Sequence, residues 1–225
     1  MILRINRLYH FIMQTFSLIF GGNKGIGFEV FKSLKRKEKN LISIYRSQSK
    51  SKNHIKLNLL DDNNFNKEIK KIKKYKIKNI IFCQRYRGHN KLEEYKMMIL
   101  MPIKIIKLLE RNFIKNSSIV FIGSTCTEKI ANDQDANYHA IRYAIVGLNK
   151  YLASSLGKKN IRVNMISTNK ILKKENLDFF TKTKKGKKIK EKFEKFLPSK
   201  NMLSSKDIAY LVNFLVGNNA KNITG

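Results

Sequence analysis

The sequence predicts an α/β fold, a doubly wound parallel sheet covered by helices on both faces. Two observations carry this expectation. Short apolar runs alternate with segments of helical period along the chain, and strands separated by helical stretches of roughly 10–20 residues imply βαβ units and a three-layer α/β/α architecture. A glycine-rich turn over residues 21–27 then joins the first apolar run to the first helical segment, which is where a nucleotide-binding sheet carries such a turn.

Each element has its own signal. Thr15–Phe20 (TFSLIF) is a short apolar run closed by glycines, as in a buried strand. Over residues 27–35, Phe28, Val30, Phe31 and Leu34 recur at helical spacing. Leu41–Tyr45 (LISIY) and residues 54–59 are strand-like, and residues 65–74 place Phe65, Ile69 and Ile72 on one helical face. Residues 79–83 (NIIFC) form a further buried strand. Residues 95–111 read as one long helix carrying Pro102 as a kink risk. A strand over 118–122, a helix over 137–156, a strand over 160–167 and a helix over 206–216 complete the series. The lysine-rich stretch 171–200 is expected to be a mobile helical flap that sets substrate choice.

Composition narrows the function classes. The 225 residues include 47 Lys+Arg against 16 Asp+Glu, a formal charge of +31. The apolar fraction of 42% is that of a globular chain and argues against disorder. Two cysteines, Cys83 and Cys126, exclude a disulfide scaffold or a four-cysteine zinc site and suit a reducing, cytoplasmic compartment. No run reaches the ~18 apolar residues of a membrane span. Arg4 and Arg7 precede an apolar stretch over residues 11–20, but Gln14, Thr15 and Ser17 interrupt it and no small-residue cleavage site follows. A charge this high invites a nucleic-acid reading. The lysines are spread along the whole chain, without zinc-finger spacing, an RNA-recognition motif or an arginine-rich arm. Specific nucleic-acid binding is therefore disfavoured, and nonspecific polyanion binding at low salt is the weaker third reading.

The turn itself reads Gly21-Gly22-Asn23-Lys24-Gly25-Ile26-Gly27. Glycines allow a tight turn and close approach of backbone to a pyrophosphate, which the free N–H groups and dipole of the following helix attract. The spacing, G-x-x-x-G-x-G, differs from the commoner G-x-G-x-x-G.

Taken together, GGNKGIGFEV, IVFIGS, a tyrosine with a basic residue four positions later, and LGKKNIRVNMIS resemble the short-chain dehydrogenase/reductase family, nearest to its 3-oxoacyl-carrier-protein-reductase-like group. The resemblance covers about residues 15–225, with the motifs in family order. It implies a Rossmann domain, an NAD(P) cofactor and hydride transfer to or from a carbonyl or hydroxyl group. By the same resemblance, Gly21, Asn23, Lys24, Gly25, Ile26 and Gly27 face the cofactor, and Asn58 stands where the family often has an aspartate beside the adenine. NAD enzymes place an acid after the second strand to bind the ribose 2′-OH. Here that segment reads Tyr45-Arg46-Ser47-Gln48-Ser49-Lys50, with no acid. Arg46 can fork onto a 2′-phosphate and Lys24 lies near the same group, so NADP(H) is favoured over NAD.

The family's proton donor falls on Tyr138, its carbonyl-binding serine on Ser124, and its ribose-binding lysine on Arg142. On a helix, positions 138 and 142 share a face. A guanidinium stabilises a phenolate but cannot release a proton into a relay. The family's relay asparagine falls on Met98. Phe20 replaces a threonine, Phe82-Cys83-Gln84-Arg85 replaces Asn-Asn-Ala-Gly, and Thr168-Asn169 replaces Pro-Gly. These departures cluster at the nicotinamide end, so two readings stand. One is an NADP(H)-dependent reductase with impaired activity, acting on a small carbonyl or alcohol, acidic or carrier-bound. The other is a nucleotide-binding protein without turnover. His139 has no role in either. Residues 1–12 are expected to be an extension before a domain over 13–225, and residues 218–225 to stop short of the family's last strand. That would leave a sheet edge bare and put homo-oligomer packing in question.

Overall fold

The computed structural model describes residues 15–49 and 51–225; the extension expected over residues 1–12, and Met13, lie outside the described residues. Six strands form one sheet: β1 (Thr15–Phe20), β2 (Leu41–Tyr45), β3 (His54–Lys56), β4 (Lys76–Phe82), β5 (Phe113–Ile122) and β6 (Arg162–Ile166). All neighbours pair in parallel, in the order β3-β2-β1-β4-β5-β6. Strand order therefore reverses between β1 and β4, and ligands of such sheets bind beyond the carboxyl ends of strands at that point.

The helices cover both faces. Helix α1 (Gly25–Leu34) and α8 (Ser205–Val216) share one core with Ile19, Ile81 and Val120. On the other face α2 (Asp62–Ile72), α4 (Met101–Leu109) and α5 (Ala136–Gly157) pack on Leu18, Phe20, Ile80 and Ile119. Leu18 and Ile19 are consecutive yet belong to opposite cores, because successive strand residues point to opposite faces.

Strands β4 and β5 begin earlier than read from the sequence, at Lys76 and Phe113, and three further differences have local reasons. Strand β3 stops at Lys56 because Asn58 turns the chain: its N–H donates to Asn64 Oδ1 (2.7 Å) and its Oδ1 accepts from Leu60 N–H (3.2 Å). The helix expected over 95–111 is three pieces: α3 (Lys91–Tyr95), a π turn (Lys96–Leu100) and α4. Pro102 has no N–H to give the carbonyl four residues back, and the π turn absorbs the missing bond. The flap is helical as expected, but Thr183 divides it into α6 (Lys174–Lys182) and α7 (Lys184–Phe196), its hydroxyl accepting from Gly186 N–H (3.0 Å).

Beyond α8 the chain returns to β6. Gly225 N–H donates to the Val163 carbonyl (2.9 Å), Val163 N–H donates to Thr224 Oγ1 (3.0 Å), and Asn164 Nδ2 donates to the Ile223 carbonyl (2.9 Å). Part of the β6 edge, expected to be bare, is thus covered. Arg162 secures the same region, donating to the Leu215 carbonyl (2.7 Å) at the end of α8.

Candidate active site

Four of the segments singled out in the sequence lie at the carboxyl ends of the strands. The glycine turn follows β1, Cys83 to Arg85 follow β4, Gly123 and Ser124 follow β5, and Thr168 follows β6. Their floor is a stack of phenylalanines on three adjacent strands: Phe20 on Phe82 (5.2 Å between ring centroids) and Phe82 on Phe121 (5.0 Å). Parallel register sets Phe20 beside Phe82 and Phe82 beside Phe121. The unusual residues at positions 20 and 82 are therefore one packed feature.

The turn cannot accept larger residues. Gly21 has φ +82°, and a Cβ there would come within 2.7 Å of the Gln84 backbone. A Cβ at Gly27 would meet the Gly21 carbonyl oxygen at 2.2 Å, so this glycine lets α1 close against the turn. Lys24, at the N-cap of α1, supplies no side-chain acceptor to the first helical turn. A carboxylate from elsewhere does: Gly25 N–H donates to Glu175 Oε1 (2.7 Å), from α6. Helix N-termini attract anions through such free N–H groups. That carboxylate is an internal stand-in for a phosphate, and the residues of the turn fit a dinucleotide diphosphate. Asn23 Nδ2 donates to Ser47 Oγ (3.4 Å) and draws the segment after β2, with the exposed Arg46, toward the turn that carries the exposed Lys24. Asn58 spends its side-chain oxygen on the local turn.

Tyr138 and Arg142 come from α5, whose N-cap is Asp135; its carboxylate accepts from Tyr138 N–H (2.8 Å). The Asp135 carboxyl is held below the usual range, first by the Lys91 ammonium and then by that N–H. Arg142 lies with its guanidinium carbon 4.5 Å from the Tyr138 ring centroid, and Arg85 approaches at 5.7 Å. Both distances are within cation–π range. Arg142 is only 5% exposed, and its Nε has no hydrogen-bond partner among the described residues. Lys173, at the start of α6, is the next cation. Burial first, then Arg85, Arg87 and Arg142, lower its ammonium from the usual lysine range, against the opposing pull of Glu175.

Ser124 is buried, and its Oγ accepts from Cys126 N–H (3.2 Å). The bond uses a lone pair and leaves the hydroxyl proton free to donate. Among the described residues Ser124 and Tyr138 share no hydrogen bond, but His139 ties their elements together. Its Nδ1–H donates to the Cys126 carbonyl (3.1 Å) and its Nε2 accepts from Ala131 N–H (3.4 Å), a tautomer assigned from these partners. Burial pushes the Cys83 thiol up to about 12, which leaves it a packing group. Met98 is 4% exposed, inside the π turn, and belongs to the core. Sequence reasoning missed Lys173 and Glu175, gave Arg85 no role beyond a departure from the family pattern, and set His139 aside. Only Arg85 left a signal there, as a large cation in place of glycine.

These features define a doubly wound α/β protein with a glycine turn at its switch point, where Gly25 N–H holds a carboxylate, and a tyrosine–arginine pair on α5. The family model described as enoyl-(acyl carrier protein) reductase matches residues 96–225. The 3-oxoacyl-[acyl-carrier-protein] reductase of Buchnera aphidicola subsp. Baizongia pistaciae is 33% identical over 129 residues, 53% of this chain and 46% of that protein. In that match the chain spans about half the length of the relative. The corresponding reductase of Buchnera aphidicola subsp. Schizaphis graminum is 27% identical over 95% of this chain and 94% of its own. Among solved structures, a short chain dehydrogenase family protein from Francisella tularensis superposes with a TM-score of 0.81 at 26% identity, covering 94% of each chain. The chain belongs to the short-chain dehydrogenase/reductase family, and within it is similar to 3-oxoacyl-carrier-protein reductases.

Proposed function

We propose that this chain is an NADP(H)-dependent reductase that transfers a hydride between the nicotinamide and a carbonyl or hydroxyl carbon. The observation that supports it most is the pairing of Tyr138 with Arg142 beside a glycine turn that already holds a carboxylate. Gly21, Asn23, Gly25, Ile26 and Gly27 cradle the diphosphate, and Asn58 lies toward the adenine. Lys24 and Arg46 take the 2′-phosphate, since the segment after β2 offers no carboxylate to a ribose hydroxyl. When bound, the reduced cofactor supplies the hydride. Tyr138 gives its phenolic proton to the substrate oxygen, and Ser124 donates its free hydroxyl proton in a hydrogen bond that orients the carbonyl. Arg142 reaches the nicotinamide ribose and, as a fixed cation, stabilises the phenolate left behind. The free thiols Cys83 and Cys126 suit a reducing cytoplasmic setting. The substrate is a small carbonyl compound or alcohol, free or carrier-bound.

The test is NADPH consumption across a panel of ketones and aldehydes. Tyr138→Phe abolishes turnover and leaves NADPH binding intact; unchanged turnover in that variant overturns the assignment. One observation favours a second reading. Met98 is buried where the family holds an amide, so a proton relay lacks that anchor. The second reading, a nucleotide-binding protein without turnover, predicts NADPH binding by fluorescence and no oxidation with any carbonyl of the panel.

A further inference from the structure

Three guanidiniums act on the Lys173 ammonium from separate parts of the fold, and two of them, Arg85 and Arg142, also flank the Tyr138 ring. Arg142 comes from α5, Arg85 and Arg87 from the segment after β4, and Lys173 from the start of α6. Among the described residues none of the four forms an ion pair. The one carboxylate acting on Lys173, that of Glu175, is hydrogen-bonded to Gly25 N–H. Arg142 is the telling member: it is 5% exposed and its Nε is unpartnered. A buried, unpaired guanidinium is costly unless an anion compensates it.

The cofactor alone does not balance this cluster. Four cations and one carboxylate leave three uncompensated positive charges, and a diphosphate at the turn brings two negative ones. On the proposed reading Lys24 and Arg46 take the 2′-phosphate and are left out of this balance. At least one positive charge therefore remains in the cluster around Lys173, and two remain if the diphosphate displaces Glu175. Two of the four are guanidiniums flanking the Tyr138 ring, at 4.5 and 5.7 Å. Planar forks match carboxylate and phosphate oxygens in pairs.

We propose that Arg85 recognises an anionic group on the substrate itself, a carboxylate or phosphate two or three bonds from the reacting carbonyl, with the charge of Arg142 beside it adding to the attraction. The inference rests on the reductase reading and narrows its substrate to anionic oxo compounds such as 2-oxo or 3-oxo acids. In the reaction the carbonyl carbon gains the hydride and the oxygen gains the Tyr138 proton, so C=O becomes CH–OH. Solvent reprotonates the phenolate, and the anionic group passes through unchanged. It serves to hold the carbonyl against Tyr138 and Ser124.

The test separates binding from turnover. Protein saturated with NADP is titrated calorimetrically with oxamate, with 2-phosphoglycolate and with the neutral ester ethyl oxamate. At least one of the two anions binds, the ester binds at least tenfold more weakly than oxamate or not at all, and Arg85→Ala weakens the anion at least tenfold. Arg85 is exposed, so this variant keeps the fold. Oxamate against phosphoglycolate shows whether carboxylate or phosphate is preferred. Ester binding equal to that of the acid, anion binding unchanged in Arg85→Ala, or no binding of either anion overturns the proposal. In the activity arm, Arg85→Ala raises KM for 2-oxo or 3-oxo acids at least tenfold. Arg85-dependent anion binding without NADPH oxidation upholds the anion site and refutes the reductase reading alone.

Discussion

The Glu175 carboxylate accepts a hydrogen bond from the Gly25 N–H, at 2.7 Å, across 150 positions of sequence. It thereby occupies the N-terminus of α1, the place a cofactor phosphate needs, and holds the start of α6 over the glycine turn. On the proposed reading a diphosphate competes with the Glu175 side chain for this N–H, and its affinity is lowered by whatever that contact contributes. Glu175→Ala should therefore tighten NADPH binding about tenfold, equivalent to about 1.4 kcal/mol. Fluorescence titration of both proteins decides it. Weaker binding in the variant would mean that Glu175 supports the cofactor and does not compete with it.

The proposed preference for NADP(H) rests on the segment after β2. Arg46 is exposed beside Ser47, which accepts from Asn23 in the glycine turn. Replacing Arg46 by aspartate removes a partner for a 2′-phosphate, repels that group, and offers the ribose hydroxyl an acceptor. A hydrogen bond to a charged group contributes roughly 1.5–3 kcal/mol, so NADPH should weaken at least tenfold while NADH gains. Parallel titrations with the two cofactors measure the ratio. An unchanged ratio would remove Arg46 from the cofactor site.

Fold and site differ in how much the sequence discloses. The six strands and the helices between them are legible because burial on both faces makes each strand a nearly continuous apolar run, as in Ile80, Ile81 and Phe82. Local chemistry marks the caps as well: Ser204 and Asp207 form a reciprocal box at the start of α8. The break at Lys96–Leu100 is only half legible, since Pro102 signals a disturbance without saying that a π turn will absorb it. Tyr138 and Arg142 can be paired in advance because one helical turn separates them. Arg85, Lys173 and Glu175 cannot, because their meeting depends on three loops converging over one sheet end. In a chain with 47 Lys+Arg, one more basic residue carries almost no information.

The stacked floor makes a stability prediction. Phe82 is 3% exposed and lies between Phe20 and Phe121, with ring centroids 5.2 and 5.0 Å away. Phe82→Ala removes both contacts and leaves a cavity beneath the site, at a cost of about 3–5 kcal/mol. The urea midpoint should fall accordingly. Phe82→Leu should recover much of the loss, since it refills most of the volume. A loss below about 1 kcal/mol in Phe82→Ala would show that the neighbouring strands collapse into the space.

Lys173 presents the opposite case, a residue that the fold tolerates at a cost. Burial, and then the neighbouring Arg85 and Arg87, disfavour its charged form in the folded state. Its folded value therefore lies below the unfolded one, near 10.4 for a free lysine. Between the two, the unfolded chain holds more protons, so stability rises with pH across that window and is lowest below it. Lys173→Met keeps the apolar stem and removes the charge. The variant should melt at a higher temperature than the parent at pH 7, and its advantage should shrink as pH approaches about 10. It should also bind NADPH more weakly, because one cation near the diphosphate is gone. Thermal melts from pH 6 to 10, together with a cofactor titration, read both effects. A lower melting temperature at pH 7 would show that the ammonium is paired and not a burden.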